Sequence, residues 1–312
     1  MTEAFGVPTR LQIAPPETSP PALEARLIAR AAAVVPPPLL LLVSIVSVQL
    51  GAAIAVHLFA SLDPLSVVFL RLGISALLLL PVVRPRLAVA RAHVGWLLLF
   101  GTVIAGMNLC FYEAIARIPL GIAVTIEFVG PLGVAVATSR RPLDLLWIAL
   151  AVVGVLLLAP QIGASLDPRG LLLAALAGVG WACFVLLSRK VGRTLSGHDG
   201  LALAMVVGTA LLLPPVLLHG GLARLDLRLL GMGLAIAVLA TTIPFSLEFA
   251  ALKRLSARTY GVLVTLEPAV ALGVGVVLLG QPATSRSLLA ATLVIAAASG
   301  VTLFERRDRP GG

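Results

Sequence analysis

The sequence is short of charge. Acidic and basic residues make up 12% of its 312 residues, about half the share of a soluble domain. Cysteine is almost missing. Cys110 and Cys183 lie in apolar runs outside any CxxC or His/Cys cluster, so both are expected as small packing residues. The four histidines, His57, His93, His198 and His219, are scattered, and no metal site is expected. Aromatic residues are 5% of the chain, which offers few stacking surfaces for flat ligands. Enzyme signatures are absent too. Gly73-Ile74-Ser75 begins like a nucleophile elbow but lacks the second glycine, and there is no Walker A loop, no HExxH and no acid pair on a loop. These absences argue against an enzyme, a cofactor and an ATP-driven pump.

What the chain has in abundance is hydrocarbon: 59% hydrophobic residues and a mean hydropathy of +1.08. It reads as an all-α integral membrane protein. Residues 1–37 differ in kind, with Pro8, Pro15, Pro16, Pro20, Pro21, Pro36 and Pro37 and little apolar periodicity, and read as a disordered cytoplasmic tail. Beyond it, spans of about 20 residues are expected at 39–60, 64–83, 93–113, 119–138, 143–160, 170–188, 199–218, 229–252, 259–279 and 284–303. The lysines and arginines are distributed unequally between the two sets of loops and tails. Seventeen fall on one side: Arg10, Arg26, Arg30, Arg84, Arg86, Arg91, Arg140, Arg141, Arg189, Lys190, Arg193, Lys253, Arg254, Arg258, Arg306, Arg307 and Arg309. Five fall on the other: Arg117, Arg169, Arg224, Arg228 and Arg286. By the positive-inside rule both termini are cytoplasmic. The net charge of +9 is thereby explained by topology, without nucleic acid.

A seven-residue pattern occurs twice, as Gly121-Ile122-Ala123-Val124-Thr125-Ile126-Glu127 and Gly261-Val262-Leu263-Val264-Thr265-Leu266-Glu267. Five spans per half invert the second half relative to the first. The expected organisation is therefore ten transmembrane helices as two inverted-topology repeats, 38–160 and 168–305, followed by a cytoplasmic tail at 306–312. In that architecture a binding site lies near the midplane between the halves.

Both copies end in an acid. A carboxylate in hydrocarbon costs at least ~2.5 kcal/mol, so it faces a cavity or a partner. At 1.5 Å per residue Glu127 lies ~12 Å below the outer surface and Glu267 ~12 Å from the inner one. Either they bind a proton or an ammonium group in one cavity, or each locks its helix to a neighbour. Pro131 removes the helical partner of the Glu127 carbonyl and Pro268 that of the Val264 carbonyl, with Thr125 and Thr265 near enough to re-satisfy backbone. Arg71 lies ~10 Å into its span, where it binds a substrate carboxylate, pairs with Glu127, or snorkels outward. Pro244 breaks a helix among hydroxyl side chains ahead of Glu248, a candidate gate or an interfacial acid beside Lys253 and Arg254. Asn108 and Gln49 are interior polar groups suited to substrate contact or to inter-helix hydrogen bonding. Glu113 is expected solvated beside Arg117.

Ten spans, inverted halves and the acid-bearing span resemble the drug/metabolite transporter superfamily in its EamA-domain branch. Gly106-Met107-Asn108, Phe111-Tyr112, Pro119 to Val124, Glu127-Phe128, Gly130-Pro131-Leu132 and Ser139-Arg140-Arg141-Pro142 with Asp144 and Trp147 resemble the threonine/homoserine exporter family. So do Ala177-Gly178-Val179-Gly180-Trp181-Ala182, Pro244 to Glu248, Arg258-Thr259-Tyr260-Gly261 and Glu267-Pro268. The likeness covers about 39–305. It implies a permease of a bacterial-type inner membrane that exports small amino acids in exchange for protons. Its partners would be an amino acid, protons and the lipid bilayer. Other metabolites or drugs are the alternative cargo; a membrane enzyme or structural subunit is the alternative of another class.

Overall fold

The computed structural model describes residues 35–59, 61–85, 91–118, 120–139, 142–158, 166–195, 199–267, 269–270 and 284–307. These residues form helices and short connections. In chain order the helices are α1 Pro37–Phe59, α2 Pro64–Val83, α3 Val94–Ile115, α4 Leu120–Glu127, α5 Val129–Ala137, α6 Pro142–Leu158, α7 Pro168–Thr194 and α8 Asp199–His219. After a 3₁₀ turn at Gly221–Arg224 come α9 Leu227–Ala237, a π-helical segment Val238–Thr242, α10 Ile243–Leu252, α11 Ala257–Leu263 and α12 Ser285–Arg307. Among the described residues five helices, counting Leu227–Leu252 as one, are long and apolar enough to cross a membrane. Shorter apolar helices cover Pro37–Gly51, Ile122–Ala137, Pro142–Leu157 and Leu288–Gly300. Of the span expected at 259–279, α11 is the start, and 271–279 lies outside the described residues, as do tail residues 1–34 and 308–312.

Local chemistry sets the helix starts. The Asp63 carboxylate accepts from the Ser66 backbone N–H at 2.9 Å ahead of Pro64, and Asp167 accepts from Arg169 N–H at 2.9 Å ahead of Pro168. Asp226 caps α9 through Leu229 N–H at 2.7 Å, and Ser256 caps α11 through Thr259 N–H at 3.0 Å. Each occupies orphan donors of a first turn. The helices carry leucine and valine outward as well as inward. Leu77, Val129, Val179 and Leu217 are exposed, the distribution of helices whose outer face meets lipid rather than water.

Packing runs mainly between the first and second parts of the chain. The most extensive contacts join α3 to α7, α6 to α12, α2 to α8, α3 to α8, α1 to α10 and α5 to α11. Where α3, α7 and α10 meet, Phe100 lies 5.7 Å from Phe184 and 6.2 Å from Phe249, and Phe184 lies 5.3 Å from Phe245, centroid to centroid. These separations are those of favourable ring pairs. Asp144 of α6 forms a buried ion pair with Arg258 of α11, and Ser139 donates to the same carboxylate oxygen at 3.3 Å. Glu113 and Arg117 pair at an exposed helix end, as expected.

Two expected spans are interrupted, each one turn or less before a proline. The span at 119–138 divides into α4 and α5 at Phe128, because Pro131 has no N–H for the Glu127 carbonyl. Helix α7 crosses at this break. A Cβ on Gly178 would lie 2.9 Å from the Glu127 carbonyl oxygen, and one on Gly130 would collide with the Gly178 backbone. Only glycine permits that approach. The span at 229–252 widens into the π segment just ahead of Pro244.

Gly130→Ala is therefore expected to destabilise the protein by about 1–3 kcal/mol through overpacking. Gly133→Ala, with nothing within 4 Å of the added methyl, should be neutral. Thermal unfolding of the two variants in the same detergent checks this; equal melting temperatures would show that the crossing does not depend on glycine.

Candidate functional site

The site grows from one missing donor. Pro244 has no N–H to offer the Ala240 carbonyl four residues back, and around Ala240 the helix takes the wide π turn, a rare form that recurs at functional sites. Arg71 of α2 fills the gap. Its Nη2 donates to the Ala240 carbonyl at 2.8 Å, its Nε donates to Thr241 Oγ1 at 2.9 Å, and its Nη1 donates to the Tyr112 hydroxyl. The guanidinium also lies over the Tyr112 ring, 4.8 Å from its centroid. Hydroxyls complete the clasp. Ser47 donates to the Leu239 carbonyl at 2.7 Å, Ser75 to the Ala237 carbonyl at 3.1 Å, and Thr242 to Ser75 at 2.9 Å. Gly51 lets α1 close on the same turn, since a Cβ there would lie 2.7 Å from the Ala240 Cβ.

Arg71 is thus buried and held from inside the bundle, not drawn outward to an interface. Its hydrogen bonds go to a carbonyl and two hydroxyls, and Glu127 stands at electrostatic range instead of forming a direct pair. Three acids share the interior. Glu127, the last residue of α4, interacts electrostatically with Glu267 as well as Arg71. Glu267, just beyond α11, interacts in turn with Glu248 of α10. Both repeat acids keep partial accessibility, whereas Glu248 is buried. Apart from the Asp144–Arg258 pair, among the described residues this interior holds three carboxylates against one guanidinium.

Glu248 departs from the expectation of an interfacial acid beside Lys253 and Arg254. Its Oε1 accepts from Ser44 of α1 at 2.9 Å and its Oε2 from Tyr260 of α11 at 2.9 Å. The Tyr260 oxygen accepts from the Trp181 indole of α7 at 3.2 Å, and the Trp181 ring lies 5.3 Å from Phe128. One residue more or less within a turn, about 100° of rotation, decides whether position 248 faces in, and the π turn alters that count.

The other expected residues are placed as follows. Asn108 is buried, with its amide donating to the Ile104 carbonyl of its own helix at 2.8 Å. Thr265 donates to the Val262 carbonyl at 2.6 Å, and Glu267 N–H takes the Val264 carbonyl at 3.0 Å, the carbonyl that lacks a proline N–H. Pro268 itself lies outside the described residues. Thr125 lies two residues ahead of Glu127 on α4, and Pro131 and Pro244 are buried. Sequence reasoning passed over Tyr112, Thr241, Ser44 and Trp181 as site residues. The Thr241-Thr242 pair before Pro244 and the serines at 44 and 47, one turn apart, were the available signal. Among the described residues no group of three or more His, Cys, Asp or Glu is arranged to hold a metal ion.

Arg71→Lys keeps the charge but loses the planar fork. It is expected to cost about 2 kcal/mol by leaving the Ala240 carbonyl or Thr241 unsatisfied. An unfolding temperature equal to the parent protein's would refute the clasp.

Residues 168–303 match the EamA-like transporter family. The chain is 40% identical to the threonine/homoserine exporter RhtA of Salmonella typhimurium (strain LT2) over 270 residues, 86% of this chain and 91% of that protein. It is 39% identical to RhtA of Escherichia coli (strain K12) over the same shares. An uncharacterised protein of Pseudomonas aeruginosa, PA1977, is 37% identical over 171 residues, 53% of this chain and 56% of its own. A solved crystal structure, 19% identical, superposes over 88% of this chain and 99% of its own with a TM-score of 0.68, a likeness of fold alone.

Proposed function

The chain belongs to the threonine/homoserine exporter family within the EamA branch, and from that premise we propose that it exports small amino acids of the threonine and homoserine kind by exchange with protons. The observation that carries this reading is the excess of acid in the interior, three carboxylates to one guanidinium. Unpaired buried charge is too costly to persist. The excess calls for protons, or for a cationic group brought by cargo. A zwitterion meets both ends of the site. Its carboxylate approaches the Arg71 N–H groups that the clasp leaves over, and its ammonium approaches Glu127 or Glu267. A proton and an ammonium competing for one carboxylate make exchange obligatory, because either can neutralise it but both cannot.

We read the architecture as two five-helix halves, 38–160 and 168–305, of opposite orientation, with both termini cytoplasmic. The packing pattern supports this. A two-fold operation exchanging the halves turns the contact of α3 with α7 into that of the α9–α10 span with α1. It turns α3 with α8 into the α9–α10 span with α2. It returns α2 with α8, α5 with α11 and α6 with α12 to themselves. All of these contacts occur. Rocking of one half on the other about a midplane site then gives alternating access.

In liposomes with an imposed pH gradient, labelled threonine or homoserine should move against the proton flow and stop when the gradient is dissipated. Glu127→Gln and Glu267→Gln should each lower that flux tenfold or more. Full, pH-dependent flux in both variants would sink the exchange mechanism. Flux of leucine or a cationic dye in place of either amino acid, from folded protein, would return the cargo to other metabolites.

A further inference from the structure

Glu248 sits where four helices meet, and its partners form a hydrogen-bond system with two settings. Resting on the antiport reading above, we infer that Glu248 is a proton switch that communicates with the Arg71 site through Ser44 and the π segment. The geometry carries this. The Ser44 hydroxyl lies within reach of two acceptors, the Glu248 carboxylate at 2.9 Å and the Pro244 carbonyl at 3.4 Å. It has one proton to give. With Glu248 ionised, Ser44 and Tyr260 both donate to the carboxylate, and the Trp181 indole, a donor only, holds the Tyr260 oxygen so that the phenolic proton points at Glu248. When Glu248 takes up a proton delivered as hydronium, one O–H bond forms, a water is released and the acid becomes a donor. Its O–H then points at the Ser44 oxygen, and the Ser44 hydroxyl turns to the Pro244 carbonyl. No heavy atom need move.

The Pro244 carbonyl is one turn from the Ala240 carbonyl that Arg71 grips. A donor arriving at or leaving Pro244 therefore acts on the short stretch of helix that also sets the guanidinium. That gives the proton on Glu248 a path to the group that meets the substrate carboxylate.

The surroundings suit a group that changes its charge. From α11, Glu248 faces the titratable Tyr260, and beyond that helix it feels Glu267. From α1 it meets the Ser44 hydroxyl, and from α7 the Trp181 indole at one remove. The π segment contributes Thr241 and Thr242, with Arg71 behind them. Of the charged residues of α7, Arg169 stands in its first turn and Arg189, Lys190 and Arg193 lie toward its C-terminal end. Asp199 opens α8 and interacts with Lys253, the residue after α10. Among the described residues no cation forms an ion pair with Glu248.

The test is the pH profile of gradient-driven threonine flux in proteoliposomes, read beside threonine/threonine exchange at one fixed pH without a gradient. Glu248→Gln should flatten the profile and lower gradient-driven flux at least tenfold while exchange persists. Tyr260→Phe and Ser44→Ala each remove a donor to the ionised form, so the midpoint should move to higher pH by about one pH unit. These two variants decide the matter if Glu248→Gln does not fold. Gradient-driven flux with an unshifted profile in Glu248→Gln, or unshifted midpoints in both of the others, overturns the switch and leaves antiport standing. Exchange without any gradient-driven flux in the parent protein overturns antiport, and the switch with it.

Discussion

A guanidinium closing on a bare carbonyl is the contact on which the rest of the interior depends. An arginine inside an apolar bundle costs several kcal/mol unless its donors are used. A carbonyl left open by proline costs energy for the same reason. Arg71 and Ala240 resolve each other's deficit. The pairing joins α2 to the π segment and so fixes the first part of the chain to the second at the depth where the acids gather. Thr241 and Tyr112 take the next two donors and set the plane of the fork. Ser47, Ser75 and Gly51 are then constrained by the need to reach, or to make room for, that same turn.

The acids depend on this arrangement in different ways. Glu127 is carried by the break between α4 and α5, which glycine-on-glycine contact with α7 stabilises. Glu267 follows a tightened turn in which its own N–H takes up the Val264 carbonyl. The two copies of the repeat thus use proline in unlike ways. One breaks its helix after the acid, and the other tightens its helix before it. The sequence pattern is two-fold, but the local solutions are not: Glu127 stands at electrostatic range of Arg71, whereas Glu267 interacts with Glu248.

Much of this was legible before any coordinates. The apolar runs mark the helices because a bilayer leaves few other options. The duplicated acid marks the interior because charge in hydrocarbon must have a purpose or a partner. Proline spacing foretells the broken helices, whereas the depth of Arg71 leaves open an interior partner or the interface and does not single out its partners Thr241, Tyr112 and Ala240. What stayed hidden depends on helical phase. Whether Glu248 looks inward or toward the interface turns on one extra residue in a single helical turn, and hydropathy does not report a π segment. Tyr112, Ser44 and Trp181 were hidden for a related reason. Each is an ordinary residue in an apolar helix until its partner, between 41 and 204 positions away, is known.

The wide turn at Val238–Thr242 works like a shift of reading frame written into a helix. Each added residue advances a regular helix by about 100°, so absorbing one into a π turn re-aims everything that follows while leaving the sequence untouched. Were that turn to relax to regular α geometry, Glu248 and the face it shares with Phe245 and Phe249 would rotate off the axis of the bundle together. The register of this helix is therefore a single mechanical variable that sets the grip on Arg71 at one end and the aim of a buried acid at the other. A deletion of one residue between 238 and 242 would reset both at once.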